Sequence, residues 1–287
     1  MNILTGIADE AANDIAGQIR AHQILGWRAI ELRSVNGKNV AGELSDAEFD
    51  AVREQLNAAQ MEVTGFASAI GNWSRPIDGD FSLDINELKT AAKRMRRLGV
   101  KFIRTMSWLP GNCDEKTWKN ETIRRYRELA KIAEEHDIYL AHENCTGWAG
   151  QSAAHLCALI DEVNSDHLKV LFDIGNTVSH GYDPWEFYTG VKGRISYVHV
   201  KDCIRSPQGG RSESYCLPGD GDAHVRDILK DLLDNGYRGV ISIEPHIAKI
   251  IHNAQNADPE KMFQSYIDYA RQFEEIVADV RSALLHK

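Results

Sequence analysis

Short runs rich in apolar and β-branched residues alternate along the chain with longer stretches whose apolar positions recur about every 3.6 residues. Eight strand candidates lie at roughly residues 3–8, 28–32, 61–67, 101–106, 138–143, 168–173, 195–200 and 239–244, each short and half or more apolar. The stretches between them are amphipathic helix candidates. Strands alternating with helices are the sequence sign of βαβ units around a parallel sheet.

The punctuation between elements sharpens this. Ser45 followed by Glu48 forms a capping box at the start of the helix predicted over Ser45 to Ala58. Leu25-Gly26, Leu98-Gly99 and Asn235-Gly236 fit helices that stop in the left-handed conformation glycine tolerates, each shortly before a strand. Eight repeats of this pattern predict a single-domain α/β protein, a (β/α)8 TIM barrel over residues 1–287. A doubly wound open sheet would more often carry a glycine-rich phosphate loop after its first strand, where this chain has Ala8-Asp9-Glu10-Ala11. The longest loop candidate, Asp202 to Gly221, follows the seventh strand and is rich in Gly, Ser and Arg, as functional loops of that length often are.

Composition narrows the function classes. With 287 residues, 43% hydrophobic and 26% charged, the chain fits one large globular core rather than a disordered or disulfide-stapled protein. A formal charge of −9 opposes nucleic-acid binding, which draws its non-specific affinity from Lys and Arg. The five cysteines, Cys113, Cys145, Cys157, Cys203 and Cys216, form no C-x-x-C pair and read as reduced thiols. No basic leader and no run of ~18 apolar residues is present, so the expectation is a cytoplasmic protein with no membrane partner.

In a barrel of this kind, catalytic groups come from the C-terminal ends of several strands. The last four candidates end in metal-ligand types: Glu143, Asp173, His199 and Glu244. Any one strand-end carboxylate can instead cap a helix or pair with a lysine. Four in succession favour a shared cation, because burying each ionised group alone would be costly. Three carboxylates and one imidazole suit one divalent ion, with Mn²⁺ favoured, Mg²⁺ and Co²⁺ close alternatives, and Zn²⁺ less comfortable than in a cysteine-rich site.

At these residues the chain resembles the xylose isomerase-like TIM barrel superfamily of sugar and sugar-phosphate isomerases and epimerases, in particular its ketose 3-epimerases. The matching pieces are Ala141-His142-Glu143-Asn144, Asp173-Ile174-Gly175-Asn176, His199-Val200-Lys201-Asp202, Pro218-Gly219-Asp220-Gly221 and Ile243-Glu244-Pro245. The resemblance spans nearly the whole chain. It implies that Glu143, Asp173, His199 and Glu244 hold one metal, and that Glu143 and Glu244 also move a proton through an enediolate that the metal stabilises. Asn176 stands where the free-sugar epimerases often place a histidine, which resembles the pentulose-phosphate variants. Inosose dehydratases share the metal set and the Pro-Gly-Asp-Gly loop, so a keto-polyol dehydratase is the alternative.

Endonuclease IV belongs to the same superfamily but needs histidines where this chain has Ser68, Ser107 and Asn176; Asp222 and His224 follow the glycine turn that its Asp-x-His pair precedes. A nuclease, or a barrel that binds sugar without catalysis, is therefore the less favoured reading. Candidate substrate contacts are Glu31 at the end of the second strand, Trp108 and Trp148 just past strand ends, Asn176, Lys201, the loop arginines Arg205 and Arg211, and His246. Trp73 shares the position of the tryptophans, which either wall a sugar pocket or pack between loops. Strand alternation requires that Lys201 and Asp202 point opposite ways. His180 and His252 read as loop histidines, and Cys145 has no base pattern marking a nucleophile. The expected partner is a small sugar or sugar phosphate. The helix predicted over Pro259 to Leu285 is the surface a second copy would use in a homo-oligomer.

Overall fold

The computed structural model describes residues 2–247 and 258–285; His252 falls outside them. Eight parallel strands form the barrel: β1 (Ile3–Gly6), β2 (Ala29–Leu32), β3 (Glu62–Ala67), β4 (Phe102–Ser107), β5 (Tyr139–Gly147), β6 (Leu168–Asp173), β7 (Ile195–Val200) and β8 (Val240–Ile243). Neighbours in sequence are neighbours in space, and β1 pairs with β8. A bridge between Ile7 and Glu31 closes the ring between β1 and β2. The architecture is the single α/β barrel that the strand–helix alternation predicts, with strand boundaries within a few residues of expectation.

The main helices are α1 (Ile15–Leu25), α2 (Asp46–Ala58), α3 (Ser82–Leu98), α4 (Glu115–Glu135), α5 (Ala153–Val163), α6 (Ile174–Ser179), α7 (Pro184–Val191), α8 (Val225–Asp234) and α9 (Pro259–Leu285). Ser45 and Glu48 form the capping box of α2. Gly26 and Gly99 end α1 and α3 at φ of 72° and 71°, and Gly236 follows α8 at 83°. At these values an L side chain would strain the backbone.

Alternation along the strands divides the barrel into two cores. One parity points inward, where Ala141, Leu171, Tyr197 and Val240 pack as a layer with Phe102 below the C-terminal mouth. The other parity, including Ile103, Leu140, Phe172, Val198, Ile241 and Ile243, packs outward beneath the helices. Burial on both faces is why these strands are so continuously apolar. Helix α9 lays Tyr266, Tyr269, Ala270, Phe273, Ile276, Val277 and Val280 on the second-half core, so its apolar face is used within the chain. No helix among the described residues is long and apolar enough to cross a membrane.

Candidate active site

Strand register sets the site. Asp173 on β6 lies directly beside His199 on β7, and His199 in turn beside Ser242 on β8, so inward side chains of three adjacent strands emerge at one height. Glu143 lies within β5, which continues to Gly147, and Glu244 follows β8 by one residue. One ligand atom from each of Glu143, Asp173, His199 and Glu244 lies within 4.8 Å of the others, and all four residues are buried.

The donor set fits a divalent cation on an observation independent of residue type. Glu143 Oε2, Asp173 Oδ2, His199 Nδ1 and Glu244 Oε2 are all buried atoms without a hydrogen bond. The other atom of each group is committed. Asn176 Nδ2 donates to Glu143 Oε1 at 2.9 Å, the Asn176 backbone N–H to Asp173 Oδ1 at 3.1 Å, and Arg33 Nη1 to Glu244 Oε1 at 2.7 Å. His199 Nε2 lies 3.0 Å from Glu31 Oε1, which fixes the tautomer that leaves Nδ1 bare. Each group is thus held by one atom and turns the other toward a shared point, where the Lys201 ammonium already stands against Asp173 Oδ2 and Glu244 Oε2.

Charge balance points the same way. Around the pocket floor six buried carboxylates, Asp9, Glu10, Glu31, Glu143, Asp173 and Glu244, face the buried cations Arg33, Arg104 and Lys201. Lys201 Nζ lies 2.9 Å from Asp173 Oδ2 and 2.8 Å from Glu244 Oε2. Helix α6 can press this closely on the end of β7 because residue 175 is glycine; a β-carbon there would collide with Lys201. Lys201 follows His199 by two and shares its inward direction. Asp202 points away and accepts N–H groups from Gly219, Gly221 and Ala223, stapling the Pro-Gly-Asp-Gly loop.

Titration shifts follow from burial against neighbouring charge. Burial opposes charge on Glu143, but Arg104 and the nearby His199 outweigh it and bring the carboxyl to about 2. Burial likewise works against Glu244, yet Lys201, His246 and Arg33 hold it well below the carboxylate range. Asp173 moves the other way, to about 7, because burial with Glu143 and Glu244 nearby exceeds the pull of Lys201. His199 is raised well above its usual value, since Glu31 and the two glutamates overcome its burial. The raised Asp173 and His199 reflect carboxylates crowded around them, whereas the lowered Glu143 and Glu244 reflect the cations at their side.

The pocket above these groups has a cavity volume of about 270 Å³, near the small end of the ~300–1,000 Å³ typical of ligand sites. Glu143, Asn176, Lys201, Arg211, Glu244 and His246 all line it, as do Arg33, Arg104, Trp73, His180 and Tyr215. Arg211 is exposed at the mouth and makes no hydrogen bond or ion pair among the described residues. His246 is held at φ 56° by Glu10, which accepts its backbone N–H at 2.7 Å and lies 2.8 Å from Nδ1. His180, read from sequence as a plain loop histidine, lies on the pocket wall, and burial lowers it to about 4.

Four expected substrate contacts lie elsewhere. Trp108 is fully buried and donates its indole N–H to Asp84 at 2.9 Å, and Trp148 donates to Glu115 at 2.7 Å; both pack between loops. Arg205 turns outward to the Tyr182 carbonyl and Asp183. Glu31 lies beneath the pocket, between His199 and the Tyr197 hydroxyl, a place that suits its other sequence reading, the orienting of a basic ligand. Trp73 is the tryptophan that reaches the pocket. Cys145 lines it too, but burial pushes its thiol up, away from nucleophilic use.

Sequence reading missed Asp9, Glu10, Arg33 and Arg104. Arg33 binds both oxygens of Asp9 and one each of Glu10 and Glu244. The available signal was the same strand-end rule applied to the first half of the chain, where Asp9-Glu10 follows β1 and Arg33 follows β2.

A model described as xylose isomerase-like TIM barrel matches residues 19–273. An inosose dehydratase of Clostridium perfringens is 28% identical over 143 residues, 46% of this chain and 48% of that protein; the chain thus matches about half the length of such curated relatives. The IOLI protein, solved with a bound zinc atom, superposes with a TM-score of 0.74 at 18% identity, covering 99% of both chains. An L-ribulose 3-epimerase structure gives 0.73 at 16% identity over 99% of this chain and 97% of that one. At these identities the two structures speak for the fold alone.

Proposed function

The chain belongs to the xylose isomerase-like TIM barrel family, and from that premise we propose that it is a metal-dependent epimerase or isomerase of a sugar or sugar phosphate. The observation that carries this reading is the convergence at the pocket floor of four buried ligand atoms on Glu143, Asp173, His199 and Glu244 that make no hydrogen bond among the described residues, two of them ion-paired with Lys201.

These four residues would hold one divalent ion, Mn²⁺ by preference. When bound, such an ion polarises a substrate carbonyl and acidifies the adjacent C–H. The protein's part is acid–base transfer and orientation. Glu143, fixed through Oε1 by Asn176, and Glu244, fixed through Oε1 by Arg33, each direct Oε2 to the pocket. One takes the proton from a substrate carbon and the other returns one to the opposite face, inverting it; return to the neighbouring carbon gives isomerisation. Positioned acid–base transfer of this kind contributes ~10²–10⁴-fold. Asn176, Lys201 and His246 bind substrate hydroxyls. Arg211 at the mouth receives the end remote from the reacting carbon, a phosphate where the sugar carries one.

The second reading is dehydration of a keto-polyol, supported by the half-length similarity to inosose dehydratases and by the ammonium of Lys201 on the pocket floor, placed to hydrogen-bond a departing hydroxyl. Incubating ketoses, their phosphates and inososes in D₂O with Mn²⁺ separates the two. Deuterium at the carbon of an inverted or migrating hydroxyl is the expected result. An unsaturated or diketone chromophore without such exchange would transfer the assignment to dehydration, and neither product from any substrate would refute both.

A further inference from the structure

We propose that Arg104 is a catalytic residue of this site, donating a hydrogen bond to the substrate oxygen that becomes negative when a glutamate takes the carbon-bound proton. This rests on the proton-transfer reading above and adds to it a group that neither the strand-end pattern nor the metal set contains.

Three buried cations line the pocket floor, and their commitments differ. Arg33 is saturated by Asp9, Glu10 and Glu244, and Lys201 bridges Asp173 and Glu244. Arg104, rising from the middle of β4 with its side chain 4% exposed, makes one side-chain hydrogen bond among the described residues, from Nη2 to the Ser68 carbonyl at 3.2 Å. Its Nε–H is buried without an acceptor. The Ser68 hydroxyl in turn donates to the Arg104 carbonyl at 2.6 Å, holding the two strands together at this point.

The guanidinium lies between the two proposed proton carriers. Nε is 3.5 Å from Glu143 Oε2 and Nη1 is 3.8 Å from Glu244 Oε1, both ion-pair separations without hydrogen-bond geometry. An unfilled donor on a buried cation is destabilising, and Arg104 lines the pocket, where a ligand can supply the acceptor. Groups that flank a carbon from both sides must share its surroundings with whatever stabilises the attached carbonyl. Arg104 is the flanking group that carries free N–H.

The step balances without further reactants. The C–H bond breaks and its proton goes to a glutamate oxygen; the electron pair forms the carbon–carbon double bond, and the carbonyl π pair moves onto oxygen. The Arg104 N–H···O bond strengthens as that charge develops, and arginine neither gains nor loses a proton. Reprotonation by the other glutamate reverses the flow. Removing one preorganised donor to such an oxyanion costs ~10²–10³-fold in comparable sites.

The test uses glycolohydroxamate, a mimic of the enediolate, titrated calorimetrically into Mn²⁺-loaded protein. R104A is expected to bind the hydroxamate about 100-fold more weakly while its Mn²⁺ affinity stays within about twofold, and added guanidinium is expected to restore binding. R104Q, which keeps bulk, gives the same comparison should R104A melt below the assay temperature. Hydroxamate affinity equal to the unmodified protein, or a parallel loss of Mn²⁺ affinity, would overturn the proposal while leaving the metal-dependent reading of the unmodified protein standing. Unmodified protein that binds hydroxamate equally well without manganese would refute the metal-dependent reading itself, and this inference with it.

Discussion

The two halves of the barrel contribute opposite kinds of group to the same pocket. Strands β5 to β8 deliver Glu143, Asp173, His199 and Glu244, each with a buried atom that has no hydrogen bond. The first half delivers Asp9, Glu10, Glu31, Arg33 and Arg104. Of these, Arg33 is fully paired with Asp9, Glu10 and Glu244, and Glu31 is spent on His199 and Tyr197. A buried charge whose partners are all present supports the site; one whose unfilled atom faces the pocket is placed to act on what enters it. Arg104 is the exception in the first half, and for that reason it carries a chemical role.

The sharpest break in this comparison comes from the second half. E143Q and E244Q each remove a ligand and a proton carrier, and carbon-bound deuterium exchange should fall at least about 10³-fold while the fold survives. Retention of more than a tenth of the rate in either would deny it that double role. In the first half the expected effect is on folding: R33M leaves Asp9, Glu10 and Glu244 without their shared cation, and denaturant melts should show a loss of ~3–5 kcal/mol. A melt unchanged in R33M would mean that the charge cluster is not structural.

A histidine outside the pocket lining gives a pH signature of the surrounding core. His22 is buried between the Ala29 carbonyl at 2.6 Å and the Tyr266 hydroxyl at 2.9 Å, and burial lowers its pKa from 6.5 to about 4. The neutral ring is the folded form, so the stabilisation is full above pH 6.5 and is lost as pH falls from 6.5 through about 4. At ~1.36 kcal/mol per unit this amounts to about 3 kcal/mol. H22Q should flatten the stability curve across that window; an unchanged slope would assign the acid sensitivity to other groups.

Smaller effects sharpen the division further. E31Q should weaken Mn²⁺ binding ~10–100-fold, the usual cost of losing the carboxylate that orients a histidine ligand, and calorimetry that finds equal affinity would remove Glu31 from the support role. W108F should cost ~1–2 kcal/mol through the lost bond to Asp84 with turnover unchanged. A raised KM in that variant would return Trp108 to the substrate wall.

How much was legible in the sequence follows the same divide. Strand ends in the second half stand out because each ionisable residue closes a long apolar run, and Glu143, Asp173, His199 and Glu244 do converge. The first half hid its contribution. Glu31 is legible at its strand end, but Arg33 lies one residue past the end of β2, and Arg104 lies inside a strand, where a charged residue reads as an outlier. Whether Trp108 meets a sugar or an aspartate depends on how a loop folds back on α3, a non-local contact that spacing does not encode. Lys201 and Asp202 were separable only to the extent that they must diverge; the Pro-Gly-Asp-Gly loop, whose N–H groups Asp202 collects, decides which one turns inward.

The central claim, one divalent ion on four successive strand ends, is tested most directly by Mn²⁺ calorimetry on chelator-treated protein, with D173N as the comparison. One ion per chain, with affinity reduced at least about 100-fold in D173N, is the predicted result. No binding, or a stoichiometry and affinity that survive the substitution, would contradict it.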